Sequence, residues 1–187
     1  MNLLSMKAVA WREDLGGGFF SPQRKSFVWS EGIVARACTS CPDDKVNPNC
    51  TCGLYSSPNP EALPEYAKYP SCCFVLLENY GWADIWTGPR DLPNTYVLRS
   101  WGAQIVGVVG TLQDGPLSLE PHRFQTALLG VEKYNVKLFN WNVAKKMIEY
   151  TWMYSPDVGF SPFDTQQFIP APAIFYKPNT NGDDLSV

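Results

Sequence analysis

The stretch that decides the fold is YVLRSWGAQIVGVV, residues 96–109, which carries the strongest strand signal in the chain. From Trp101 onward it is rich in apolar residues, and such a run is typical of a strand buried on both faces near its end. Gly102 and Gly107 predict a bulge or a bend, because glycine weakens regular strand pairing. The sequence therefore predicts a sheet built around this segment.

Further strands are predicted on the N-terminal side of this stretch. Residues 5–12 alternate loosely, residues 26–30 and 33–37 are short apolar runs, and residues 72–78 form a compact apolar run. A separate short strand is predicted over residues 81–86. Seven Trp residues and an aromatic content of 14% suit a β-rich fold, in which broad rings cover a pleated surface.

Helices are predicted at three places. Asn59 can cap a short helix within residues 58–69, and residues 118–129 form a second helix. Residues 131–139 alternate as a strand, and Asn142 then caps a helix over 143–154. This last helix has one apolar stripe formed by Val143, Met147, Ile148 and Thr151.

The predicted fold class is α+β: a mainly antiparallel sheet with a zinc-binding loop and two or three short helices packed on one side. A chain of 187 residues fits a single domain, residues 1–187. The alternative is a subdivision at the turn-rich link 111–116. It would separate a β-rich part with the zinc loop, residues 1–112, from an α/β part, residues 113–187, with an extended C-terminal tail.

Four of the six cysteines lie close together, as Cys38-x₂-Cys41 and Cys50-x-Cys52. This spacing brings four soft thiolates to one point, and tetrahedral Zn²⁺ best fits such a shell. Gly53 supplies the backbone angles that so tight a pair needs. Four protein ligands close a structural site and leave no position for substrate. The sequence therefore predicts a structural Zn²⁺ on these four cysteines.

Other interpretations of the cysteines stay open at this point. One ligand is missing, or the pairs are disulfides, or the thiolates hold an iron–sulfur cluster. Cys73 or His122 could also replace one ligand, although both are distant in sequence.

The segments AC at 37–38 and PNCTCGLYS at 48–56 resemble a motif of small uncharacterised bacterial and phage proteins. Those proteins carry a Cys, then a His, then Cys-x-Cys-Gly-aliphatic-Tyr-Ala. The resemblance covers residues 28–56. This chain has Cys41 where that group has a histidine, and Ser56 in place of the alanine, so four soft ligands are kept. The resemblance implies metal binding and no particular activity.

No catalytic residue is predicted. Cys72 and Cys73 point to opposite faces of a strand, so one belongs to the core and the other lies near the surface or a second layer. His122 is the only histidine and could form a hydrolase dyad with either cysteine, but its position beside a proline favours a surface or capping role. The scattered aspartates are explained as turn formers, namely Asp43, Asp44, Asp84, Asp91, Asp157 and Asp164.

Aromatic and arginine side chains form a further candidate site, as a recognition surface for a peptide, a base or a sugar. The alternative is that the rings belong to the core of a β-rich domain. The residues are Tyr80, Trp82, Trp86 and Trp101, with Arg90 and Arg99 nearby.

Charge and hydropathy bear on partners and location. A net charge of −3 and a pI near 5.1 disfavour nucleic-acid binding, although a local basic patch can survive such an average. No segment reaches the roughly 20 apolar residues of a membrane span, and the first residues lack the pattern of a signal peptide. We therefore expect no membrane partner and a cytoplasmic location, in a bacterium or in the host cytoplasm if the protein is viral.

The leading functional hypothesis is a non-enzymatic, zinc-stabilised binding or assembly module, phage-related, with a protein partner. One alternative is a hydrolase-type enzyme with an aromatic and acidic cleft. Another is single-stranded nucleic-acid binding through stacked aromatic residues, bordered by Arg24, Lys25, Arg90 and Arg99.

Overall fold

The structure is a computed structural model, and it describes residues 3–14, 16–21, 24–35, 41, 50, 52–61, 63, 72–87, 96–110 and 121–154. The strands in these stretches are β1 (Leu4–Arg12), β2 (Gly18–Ser21), β3 (Arg24–Val28), β4 (Ile33–Ala35), β5 (Leu54–Ser56), β6 (Cys73–Thr87), β7 (Tyr96–Val109) and β8 (Lys137–Phe139). The α-helices are α1 (Pro121–Tyr134) and α2 (Trp141–Met153).

The sheet is arranged around β7, the strand predicted from its apolar sequence. The strand order is β3-β2-β1-β6-β7-β4, and β5 and β8 also pair with β7. Every pairing is antiparallel except that of β7 with β8. The predicted α+β class, a mainly antiparallel sheet with short helices, is therefore confirmed.

Both faces of the central strands β6 and β7 are buried. One face, which includes Phe74 and Leu76, packs against Ile148 of α2. The opposite face, which includes Val75, packs with Ala127 of α1. The expectation that the helices pack on one side of the sheet is therefore wrong. Strands that are apolar at successive positions need cover on both faces, and here each helix supplies one layer.

β6 is one continuous strand, where the sequence predicted two separate strands over 72–78 and 81–86. Its register with β7 shifts between Tyr80 and Ala83, so an extra residue of β6 bulges outward. Gly81 adopts φ of 71°, a conformation that other residues rarely take. A Cβ at Gly81 would lie 2.6 Å from the Cβ of Trp101. Gly81, predicted as the first residue of a separate strand, is therefore part of a bulge within a continuous ladder.

α1 extends to Tyr134, so the prediction of a strand over residues 131–139 is wrong except for the three residues of β8. Asn135, at φ of 50°, ends the helix in a left-handed conformation. The Tyr134 hydroxyl accepts a hydrogen bond from the Phe19 backbone N–H at 2.8 Å and donates one to the Trp29 carbonyl at 2.9 Å. These tertiary bonds explain why 131–134 remains helical despite its alternating pattern.

α2 begins at Trp141, two residues earlier than predicted, because Asn140 rather than Asn142 is its N-cap. The Asn140 side chain accepts from the Asn142 N–H at 2.8 Å. The buried face of α2 also differs from the predicted apolar stripe, because Val143 is exposed. The buried residues of α2 are Trp141, Ala144, Ile148, Thr151 and Trp152.

Several sequence expectations fall partly or wholly outside the described residues. The capping role of Asn59 is confirmed, since its side chain accepts from the Glu61 N–H at 3.0 Å, and residues 60, 61 and 63 are in a 3₁₀ conformation. The rest of the predicted helix 58–69, the link 111–116 and the tail from Ser155 lie outside the description. Within the described part of the chain, neither α1, α2 nor any other helix is long and apolar enough to cross a membrane.

We predict that Tyr134→Phe lowers the free energy of unfolding by about 1–3 kcal/mol, because it leaves a buried N–H and a carbonyl without their partner. Urea unfolding followed by tryptophan fluorescence measures the change. Tyr154→Phe is the matched control, since Tyr154 is 62% exposed, and we expect it to change stability by less than about 0.5 kcal/mol. Equal stability of the two variants would contradict the tie between α1 and the β2–β3 region.

Candidate metal centre

Three of the four predicted ligands come together in the structure. The Sγ atoms of Cys41, Cys50 and Cys52 all lie within 4.8 Å of one another. All three residues are thiols rather than halves of a disulfide. Cys41 is fully buried and the other two are partly exposed. Cys38, the fourth predicted ligand, lies outside the described residues. Three sulfurs at this separation can hold a metal ion.

The sheet fixes the position of Cys52. β5 begins two residues after it and pairs with β7 through Leu54↔Ser100 and Tyr55↔Arg99. Gly53 makes the connection at φ of 103°, and a Cβ there would lie 2.8 Å from the Ser100 carbonyl oxygen. A glycine is therefore required at 53, both for its backbone conformation and for the close approach to β7. The glycine of the Cys-x-Cys-Gly motif thus seats the ligand against the sheet.

A buried polar network holds β5 in place. The Ser5 hydroxyl donates to the Ser56 hydroxyl at 2.7 Å. The Asn79 amide donates to the Ser5 hydroxyl at 2.8 Å, and the Ser100 hydroxyl donates to the Asn79 side-chain oxygen at 3.1 Å. The network links β1, β5, β6 and β7 with its groups hydrogen-bonded, so it specifies one register for β5. The register of β5 in turn positions Cys52, which lies two residues before this strand.

Polar hydrogens point at two of the sulfurs. The Cys52 backbone N–H donates to the Cys50 Sγ at 3.4 Å. The Arg99 guanidinium donates through Nη2 to the Cys52 Sγ at 3.8 Å and through Nε to the Cys52 carbonyl oxygen at 2.6 Å. Hydrogen-bond donors at these positions offset the negative charge that a cysteine sulfur carries as a metal ligand.

Two tryptophans enclose the sulfurs. Trp82 is 4% exposed and packs with Cys41, and the partly buried Trp101 packs against the cluster that these two residues form. The Arg99 guanidinium lies over the Trp82 ring, 5.1 Å from its centroid. The indole N–H groups of both tryptophans are buried, without an acceptor in the part of the chain that the structure describes. The bulge at Gly81 places Trp82 on the cysteine side, opposite to Ala83, which faces α2.

Two members of the predicted aromatic recognition surface are therefore buried, and for them the alternative of a core position is confirmed. Trp82 and Arg99 are buried around the cysteines, and the Tyr80 hydroxyl donates to Glu78 within the sheet. The side chain of Trp86 and all of Arg90 lie outside the description. Of the rings that are described, Trp82 and Trp101 serve as walls of the candidate metal centre.

Asp84 is a neighbour of the site that the sequence prediction missed. It is 3% exposed and lies in β6 directly opposite Arg99, so for Asp84 the prediction of a turn-forming role is wrong. The other five aspartates of that prediction lie outside the described residues. The sequence did contain a signal for this pairing: if two long strands joined by residues 88–95 form one hairpin, residue 84 lies opposite residue 99. The prediction of two separate strands, 72–78 and 81–86, concealed this pairing.

Cys72 and Cys73 belong to opposite faces of the sheet, as expected, and both are core residues, so neither lies near the surface. Cys72 packs on the α2 face and Cys73 on the α1 face, and both are fully buried. Burial, with a smaller contribution from Cys72, raises the pKa of the Cys73 thiol far above its ordinary value. His122 lies in α1, and the placement of its side chain is outside the description.

Comparison with known proteins gives no relative for this chain: no family model matches it, and no curated protein or solved structure is significantly similar.

We predict that the free energy of unfolding falls as the pH rises above the ordinary thiol value of about 8.5, because the unfolded chain then releases the Cys73 proton while the folded chain holds it. The slope approaches about 1.4 kcal/mol per pH unit more than in Cys73→Ala. Denaturant unfolding at a series of pH values from neutral to alkaline measures both slopes. Parallel slopes in the parent and the variant would contradict the perturbed pKa.

Proposed function

We propose that this chain is a non-enzymatic binding or assembly module stabilised by one structural Zn²⁺, held by Cys38, Cys41, Cys50 and Cys52, with a protein as its partner. The observation that carries the proposal is the convergence of three cysteine sulfurs within 4.8 Å. Zn–S bonds of about 2.3 Å at tetrahedral angles need sulfurs about 3.8 Å apart, which this spacing allows.

The chemistry of the donors supports zinc over other ions. Thiolate shells select zinc, copper(I) or iron–sulfur clusters, whereas magnesium and calcium need oxygen ligands. Cys38 is the donor that would complete a four-sulfur shell. Cys-x₂-Cys and Cys-x-Cys pairs that enclose a single ion are typical of structural zinc sites.

Burial supports a structural role over catalysis. Cys41 is fully buried and Trp82 covers it, so a substrate has little access to that sulfur. Asp84 and Arg99 would have to serve a cleft in the hydrolase alternative, and both are buried in the sheet. The buried positions of Trp82 and Arg99 likewise remove them from a base-stacking surface.

A protein partner is supported by the exposed side of α2. Val143, Tyr150, Met153 and Tyr154 are 48%, 53%, 68% and 62% exposed, respectively. Large apolar side chains grouped on one exposed element are more frequent at protein interfaces than on free surfaces.

We predict that the purified protein contains about one zinc per chain and that a strong chelator lowers its melting temperature. Binding to the folded state alone contributes about 4 kcal/mol when free zinc is about 1,000-fold above Kd. At about 2–4 °C per kcal/mol, we expect a loss on the order of 10 °C. Elemental analysis and thermal unfolding with and without chelator measure both quantities. A metal-free protein with an unchanged melting temperature would refute the zinc site.

We predict that Cys52→Ala lowers both the zinc content and the melting temperature and makes the protein poorly soluble, because the loss of one ligand opens the shell. Cys73→Ala is the matched control, since this cysteine is buried outside the cluster. It should keep the parental zinc content while losing about 1 kcal/mol of packing energy. If Cys52→Ala melts like the parent and keeps its zinc, the site is not structural.

A further inference from the structure

Arg99 is an unusual residue to find at zero exposure. It lies on β7 opposite Asp84, which is 3% exposed, in the paired register of the central hairpin. Burial of a guanidinium is costly unless hydrogen bonds and opposite charge compensate it. The groups that contact the Arg99 guanidinium therefore indicate the role of this residue.

Two hydrogen bonds of the Arg99 guanidinium go to Cys52. The Nε–H donates to the Cys52 carbonyl at 2.6 Å and Nη2 donates to its Sγ at 3.8 Å. Since the guanidinium is planar, two N–H groups on one rigid fork contact the backbone and the sulfur of the same residue. This geometry fixes the direction of the Cys52 side chain relative to its own backbone.

The fork itself is held from two sides. Trp82 stacks on the guanidinium at 5.1 Å, and the backbone at Gly53 lies so close that a Cβ there would be 2.9 Å from Trp82 and 3.2 Å from the Arg99 side chain. The Arg99 and Trp82 side chains therefore pack closely against the Gly53 backbone, and the contact is buried rather than a surface ion pair.

We propose that Arg99 is a positioning residue of the metal centre, which aims the Cys52 sulfur at the ion and offsets the negative charge of the thiolate shell. The inference rests on the proposed metal site. A shell of four thiolates around one divalent ion carries two net negative charges, and a buried cation beside it lowers the cost of assembling them. Groups that orient metal ligands in this way typically contribute a factor of 10–100 to metal affinity.

The test compares Arg99→Met and Arg99→Lys with the parent, using full-length reduced protein. Zinc affinity is measured by competition with a chromophoric chelator, and Co²⁺ loading is followed by its thiolate charge-transfer and ligand-field bands. We expect about 10- to 100-fold weaker zinc binding in Arg99→Met, with altered cobalt bands. Arg99→Lys should lose less affinity, because its ammonium keeps the charge but not the two-point fork.

Thr151→Val is the matched control. Thr151 is buried in α2, on the opposite face of the sheet from the cysteines; its hydroxyl accepts from the Leu4 N–H and donates to the Ile148 carbonyl. The substitution should lower the melting temperature and leave zinc affinity and the cobalt spectrum unchanged. An equal affinity loss in Thr151→Val would overturn the inference, because the effect would then be general destabilisation.

The outcomes separate this inference from the proposed function. Parental affinity and spectrum in either arginine variant overturn the positioning role and leave the metal site intact. A parent chain that binds neither zinc nor cobalt refutes the site itself. If Arg99→Met fails to fold, Arg99→Lys decides alone, and parental affinity in that variant overturns the inference.

Discussion

The β6–β7 hairpin is the constraint on which the rest of the structure depends. β1 pairs with β6 on one side, while β5, β4 and β8 take successive positions along β7 on the other. Both faces are apolar over most of its length, so the chain must supply a layer for each, and α1 and α2 do so. Towards the hairpin turn the α1 face changes character, because Trp82, Arg99 and Trp101 replace aliphatic residues. That change provides aromatic walls and a buried cation beside the cysteines.

The candidate metal centre joins parts of the chain that are distant in sequence. Cys52 and Arg99 are 47 residues apart, and β5, the strand beside the cysteines, is bound to β1 through Ser5 and Ser56. An ion held by the sulfurs would tie the loop to a ladder that is already fixed by its own core. Metal binding is then coupled to the docking of β5, because the polar network and the sulfur positions require the same register.

The sequence predicted well those elements whose signals are local and long. The bounds of β7 were predicted residue for residue, and β1 closely, because their apolar runs need no partner to be recognised. Tertiary contacts explain two of the wrong predictions, the strand over 131–134 and the start of α2. Tyr134 stays helical because its hydroxyl binds two backbone groups in the β2–β3 region, and α2 starts early because Trp141 enters the core beside Phe74. β2 was missed, since a four-residue strand beside a run of glycines has almost no pattern of its own.

The candidate site likewise has one part that the sequence predicted and one part that it did not. Cysteine spacing predicted the proximity of Cys41, Cys50 and Cys52, because the three residues lie within twelve consecutive positions of the sequence. The surroundings required the register between two long strands, and the bulge at Gly81 sets that register beside the site. With Gly81 in a left-handed conformation, the bulge turns Trp82 to the cysteine side and leaves Asp84 opposite Arg99. When residues 81–86 are taken instead as a separate strand, Trp82 and Asp84 have no assigned pairing with Arg99. A buried arginine beside cysteine sulfurs is thus the kind of feature that becomes visible only when strand pairing is known.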